Sequence, residues 1–290
     1  MNYQPYVGAL AALAHADRLA VFRLLARRAP DGVRPSDIAE ALGLKPNTLS
    51  GHVRALLDAG LARTWREGKS VFYGIELAAV GDLVEFIAAD CCRGRPEVCA
   101  PIGARMLGCA ASPALPPSTP PYRTIFICTG NYARSIFAEA ILGAAGGSDF
   151  IAQSAGTRPA NGVNPFAADV LREEGLDASR FAPQGLEALQ GDQGPAFDFV
   201  ITVCDQAANE DCPPWPGRAL TAHWGVPDPA AATGDAHAKV RAFRSAYEDM
   251  RRRIEAFVAL PFATLDHMTL QKRLDDIGRY DFESSLESET

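Results

Sequence analysis

Cys128 closes the apolar run "RTIFIC", and Arg134 stands where "SIFAEAILGAAGG" begins to read as a helix. A thiol and a guanidinium across a tight turn into a helix form a device for an oxyanion. Backbone N–H groups converge at a helix N-terminus, and its dipole favours negative charge. Arg134 adds two donors in a fixed fork. The same field favours a thiolate, so the pattern predicts a Cys128 pKa well below the free-thiol value of about 8.5. Thr129, Gly130, Asn131, Tyr132 and Ala133 would form the cradle, with Gly130 expected at positive φ. Asn131 and Ser135 are expected to hold loop and sulfur through side-chain hydrogen bonds. Such a site can bind an oxyanion, hydrolyse its ester or reduce it.

The elements that must position this loop are an apolar strand before it and a helix after it, ending at Gly146–Gly147. "FVITVC" reads as a further strand, with Cys204 at its end and Cys212 beyond a short polar loop. Together, "CTGNYARS", "SAGT" (Ser154 to Thr157) and "HWGVPDPA" resemble the low-molecular-weight tyrosine phosphatase superfamily over residues 122–262. That resemblance implies an α/β flavodoxin-like parallel sheet with helices on both faces. It also implies that Asp228, before Pro229, is the general acid.

A phosphatase of this superfamily needs one cysteine, one arginine and one acid. Cys204 and Cys212 are two thiols more, and reduction of arsenate requires them because two electrons must leave as a disulfide. The superfamily's thiol-coupled arsenate reductases carry such a pair before an "HWG…DP" segment. The phosphatases tend to have aromatic residues after Asp-Pro, where this chain reads "DPAAATG". The resemblance therefore implies an arsenate reductase with a Cys128–Cys204–Cys212 relay and no tightly bound cofactor. Electrons would come from thioredoxin or another thiol donor, such as a glutaredoxin-type reductant. The alternative is a low-molecular-weight protein tyrosine phosphatase with a winged-helix regulatory domain. His223 and Trp224 read as packing residues.

Residues 1–110 have a different grammar. "HADRLAVFRLLARR" has a helical apolar period. A short helix, Ser36 to Leu42, stops at Gly43, and a second runs from Pro46 to Gly60 with Leu49, Val53, Leu56 and Leu57 inward. "LARTWREGKSVFYGIEL" follows as two strands around a turn, completing the order of a mainly α winged helix-turn-helix. Asn47, Thr48, Ser50, His52 and Arg54 would face outward toward base edges or phosphates, and Arg66 and Lys69 at the wing tip would sit over phosphate. Ala9 to Leu77 resembles the ArsR/SmtB family of metal-responsive repressors, most specifically in "LSGHVRALLDAGL". "DCCRGRPEVC" places Cys91, Cys92 and Cys99 at the end of the expected dimerisation helix, a thiol trio suited to three-coordinate As(III) rather than tetrahedral zinc. The expected partners are operator DNA, arsenite as regulatory ligand and a second copy of the chain through this domain.

Charge and composition agree with two jobs. Residues 1–110 carry 13 Lys+Arg against 11 Asp+Glu, and the remainder carries 15 against 24, so any nucleic acid belongs on the first half. Five prolines between Ala111 and Tyr122 mark 111–121 as an extended linker. The expected organisation is 1–110 as DNA-binding and As(III)-sensing domain, 122–262 as reductase or phosphatase-like domain, and 263–290 as a helix with an acidic tail. No run of about 18 apolar residues exists to span a membrane. Seven cysteines without an export signal point to working thiols and a cytoplasmic setting.

Overall fold

Apolar spacing builds the first unit around the inner faces of its helices. The computed structural model describes residues 3–91, 120–189, 195–210 and 219–279. The first unit runs α1 (Gln4–Leu13), α2 (Ala16–Arg27), α3 (Pro35–Leu42), α4 (Pro46–Asp58), β1 (Ala62–Glu67), β2 (Ser70–Ile75) and α5 (Leu77–Glu85). Val21, Leu24 and Leu25 of α2 pack with Ile38 of α3 and with Leu49, Val53 and Leu56 of α4. Gly43 ends α3 with φ 63°, a left-handed cap that costs glycine no Cβ clash. β1 and β2 pair antiparallel from Ala62↔Ile75 to Glu67↔Ser70, and Gly68 in their turn has φ 58°. Trp65 stacks beside Phe72. α5 continues as a π-helix, Phe86–Cys91, and Phe86 stacks on Tyr6 of α1 with centroids 4.0 Å apart.

The second unit is a parallel sheet of order β4-β3-β5-β6. Its elements are β3 (Tyr122–Cys128), α6 (Arg134–Ala145), β4 (Phe150–Gly156), α7 (Pro165–Glu173), β5 (Phe199–Thr202), α8 (Asp205–Asn209), β6 (Leu220–His223), α9 (Ala236–Val258) and α10 (His267–Arg279). β3 is interior, pairing with β4 from Tyr122↔Phe150 to Cys128↔Gly156 and with β5 from Thr124↔Phe199 to Ile127↔Thr202. A strand flanked by strands and covered on both faces reads as a continuous apolar run, which explains "IFIC". Phe126, Phe137, Phe199, Trp224, Phe243 and Phe257 fill the core.

α10 lies beyond residue 262, the end expected for this domain, yet belongs to its core. Leu270, Leu274 and Ile277 are buried there. Trp224 Nε1 donates to the Leu274 carbonyl at 3.0 Å, and Gln271 Nε2 to the Thr221 carbonyl at 2.7 Å, tying α10 to β6. Among the described residues, no helix is long and apolar enough to cross a membrane.

Candidate functional site

The loop between β3 and α6 owes its shape to a segment thirty residues later. Thr157 N–H donates to the Cys128 carbonyl (3.1 Å), Arg158 to Thr129 (2.9 Å), Ala160 to Gly130 (2.9 Å) and Asn164 to Tyr132 (2.9 Å). N–H and C=O of a trans peptide point oppositely, so tying the carbonyls outward turns the amides inward. The Gly130–Asn131 peptide shows both halves: its carbonyl goes to Ala160, and its N–H lies 3.0 Å from Cys128 Sγ. Beyond Thr157, which closes "SAGT", no motif singled out this segment, because the bonds it makes to the loop come from backbone N–H groups.

Asn131, rather than Gly130, takes the left-handed conformation, with φ 48°. Asparagine tolerates that region better than other side chains, and this one is locked. Its Oδ1 accepts from Gln184 N–H at 2.8 Å, and its Nδ2 donates to Ser135 Oγ at 2.9 Å and Ser154 Oγ at 2.8 Å. Gly130 is needed for space instead: a Cβ there would lie 2.3 Å from the Tyr132 ring.

Cys128 is buried at the floor of this loop, and Ser135 Oγ lies 2.9 Å from its sulfur. Burial pushes the thiol above its ordinary pKa, against the low value its setting had predicted. The Ser135 hydroxyl pulls it down, the nearby Cys204 pushes it up, and the Asn131 amide and Arg134 pull it down. The expectation gave Arg134 too much weight. Its guanidinium forks onto the Val226 carbonyl (3.0 Å) and Asp228 Oδ2 (3.3 Å), which divides its field.

Asp228 is thereby brought to the loop from 94 positions away in sequence. Tyr132 Oη donates to its carboxylate at 3.2 and 3.3 Å, and Asp228 Oδ1 accepts from Ala230 N–H at 3.1 Å. Burial first, then the Asp228 charge, raises the Tyr132 phenol above its usual range, which keeps it a donor.

β5 ends at Thr202, two residues short of Cys204, but Val203 N–H still bonds the Ile127 carbonyl at 2.8 Å. Buried Cys204 therefore emerges beside Cys128, and Thr129 Oγ1 lies 3.4 Å from its sulfur. The polar loop that follows is partly helical as α8. Cys212 lies outside the described residues. His223 bridges Thr202 Oγ1 (2.9 Å) and Asp205 Oδ1 (3.2 Å), and Trp224 is buried in the core.

On the first unit, Asn47, Thr48, Ser50 and Arg54 are exposed on α4, as are Arg66 and Lys69 at the wing. Ser50 Oγ donates back to the Pro46 carbonyl, and Arg54 pairs with Asp58 at 2.9 Å. His52 corrects the outward reading. It turns against α2, its side chain 12% exposed and its Nε2 3.4 Å from Asp17 Oδ2. It sits on the flank of the Leu49–Val53–Leu56 stripe and goes with that stripe into the α2–α4 contact. Cys91 is exposed at the end of the π-helix; Cys92 and Cys99 lie outside the described residues.

A thiol ending the central parallel strand, a loop with its amides turned over that thiol, and an arginine opening the next helix define an oxyanion-binding domain of the phosphate-loop type. Residues 123–271 match the family described as low molecular weight phosphotyrosine protein phosphatase, and residues 13–64 match a helix-turn-helix domain. The chain belongs to that phosphatase family, with a helix-turn-helix domain fused ahead of it. Among its relatives is an arsenate reductase of Halalkalibacterium halodurans, 36% identical over 132 residues, covering 46% of this chain and 91% of the relative. An arsenate reductase of Bacillus subtilis is 34% identical over 132 residues, with the same coverage. The solved structure of a thioredoxin-dependent arsenate reductase from Corynebacterium glutamicum is 27% identical with a TM-score of 0.37, covering 55% of this chain and 69% of that one.

Proposed function

We propose that this protein reduces arsenate to arsenite and that its helix-turn-helix domain is an arsenite-responsive repressor. The observation that carries the enzyme reading is a second buried thiol, Cys204, beside Cys128 and the loop that cradles the oxyanion. Ester hydrolysis has no use for it, whereas reduction does.

Arsenate sits against the inward amides of residues 129–133 and Arg134. The Cys128 thiolate, supported by Ser135 and Asn131, attacks arsenic, and Asp228 protonates the oxygen that leaves as water. Cys204 as thiolate attacks the Cys128 sulfur. The sulfur–arsenic bond breaks with its electron pair passing to arsenic, which leaves as arsenite, and the Cys128–Cys204 disulfide forms. Cys212 attacks Cys204 and releases Cys128, so the disulfide moves to Cys204–Cys212. Thioredoxin or another dithiol returns two electrons there.

For the repressor, the exposed α4 residues Asn47, Thr48, Ser50 and Arg54 face the major groove, while Arg66 and Lys69 meet phosphate. Exposed Tyr3 just before α1, Val7 and Leu10 within it, and Leu77 of α5 offer the apolar surface for a homodimer. Cys91, Cys92 and Cys99 hold arsenite, so the enzyme makes the ligand that the repressor senses.

The test is arsenate-dependent NADPH oxidation by the purified chain with thioredoxin and its reductase, run beside phenyl phosphate hydrolysis. Oxidation that requires arsenate is the expected result. Phosphate ester turnover with none of that oxidation would mark a phosphatase.

A further inference from the structure

His15, Asp17 and His52 meet where α2 begins and α4 passes, and the proposed function uses none of the three. His15 is the N-cap of α2, its Nδ1 accepting from Asp17 N–H at 3.1 Å. The His15 and His52 rings lie 4.7 Å apart. His52 Nε2 is sealed from solvent and forms no hydrogen bond with the described residues; its nearest charge is the Asp17 carboxylate at 3.4 Å. One ligand atom from each of the three residues lies within 4.8 Å of the others.

We propose that these three side chains form a site for a first-row divalent cation, zinc above all, joining the start of α2 to α4. Two imidazoles and one carboxylate are borderline ligands suited to zinc, cobalt or nickel, and are a poor match for a thiophilic arsenical. Bonds of about 2.0–2.1 Å in a tetrahedron set ligand atoms about 3.4 Å apart. The His52–Asp17 pair stands at that separation already, and exposed His15 reaches it by rotating its side chain. Water takes the fourth position.

Ligation by His15 disturbs α2 through either nitrogen. If Nδ1 binds the metal, its lone pair is no longer there for Asp17 N–H. If Nε2 binds, the neutral ring carries its proton on Nδ1, which then cannot accept. Metal therefore exchanges the N-cap for a cross-link to α4, the helix that exposes Asn47, Thr48 and Ser50. This gives the domain an input chemically separate from arsenite, and it depends on neither the reductase nor the repressor reading.

Cobalt(II) is the probe, because its d–d absorption intensifies in tetrahedral sites and sulfur ligands add a separate charge-transfer band. The full chain carrying Cys91→Ser, Cys92→Ser and Cys99→Ser is titrated, with circular dichroism as the check on folding. The expected result is one equivalent of cobalt with d–d bands, no sulfur band, and displacement by zinc. Those bands should be lost in His52→Gln and His15→Gln and weakened in Asp17→Asn. If His52→Gln unfolds, the other two variants carry the same reading. Absence of the bands in the cysteine-substituted chain, or identical titrations in folded variants, overturns the proposal.

Discussion

Ser135→Ala removes one donor from the nucleophile and leaves its surroundings nearly unchanged in volume. Asn131 Nδ2 already donates to Ser135 Oγ, so the serine hydroxyl hydrogen is free to point at Cys128 Sγ, 2.9 Å away. A hydrogen bond to a charged group contributes about 1.5–3 kcal/mol. Its loss should raise the Cys128 pKa further, and each 1.36 kcal/mol is a factor of about ten in the thiolate equilibrium. At neutral pH the thiolate fraction, and with it kcat/KM for arsenate, should fall about 10–100-fold and recover partly as pH rises. The direct assay is the pH dependence of Cys128 alkylation by iodoacetamide, resolved by peptide mass spectrometry so that the other cysteines do not interfere. The stability sign follows from the same shift. A thiol whose folded pKa stands above its unfolded value gives stability fully present below the unfolded value and lost as pH rises through the folded one. Ser135→Ala, with the folded value higher still, should therefore lose more stability as pH rises and unfold at a lower alkaline pH than the parent. An alkylation midpoint that stays put or moves down would refute the reasoning.

Cys204→Ser should stop multiple turnover with thioredoxin while leaving phenyl phosphate hydrolysis, if any, intact; parent-rate arsenate reduction in that variant would remove Cys204 from the relay. Gly130→Ala drives a Cβ into the Tyr132 ring and so disturbs the partner of Asp228, and kcat should drop about 10–100-fold, as misplaced catalytic groups do. Leu274→Ala should destabilise the second domain by about 2–5 kcal/mol, read as a lower urea midpoint, because α10 is part of its core. Neutralising Arg66 and Lys69 should weaken binding to all DNA sequences and flatten its salt dependence; an unchanged salt slope would take the wing off the phosphates.

What the sequence showed depended on how local each signal is. Cys128 and Arg134 were legible because strand, turn and helix follow one another within a dozen residues. Asp228 was reached only through the family resemblance, since nothing in its own neighbourhood announces that it folds back onto Arg134. The outward and inward faces of α4 followed from a 3.6-residue period, but His52 did not. At 100° per residue it falls about 70° from the centre of the Leu49–Val53–Leu56 stripe, on a flank where packing decides. Periodicity also says nothing of Asp17, which waits for it on another helix. The positive φ was assigned to Gly130 on conformational cost alone. The fold gives it to Asn131, whose side-chain bonds to Gln184, Ser135 and Ser154 offset that cost.

The strap formed by residues 157–164 shapes the oxyanion loop without lending it a side chain. Four main-chain N–H groups do that work, so at position 160 the strap asks only for a residue that keeps its N–H, any but proline. Drift there leaves the cradle's form untouched, which frees the rim of the site to change character while its floor stays fixed. Substrate preference can thus be retuned on one segment and the thiol chemistry preserved on another, a division of labour written in the main chain.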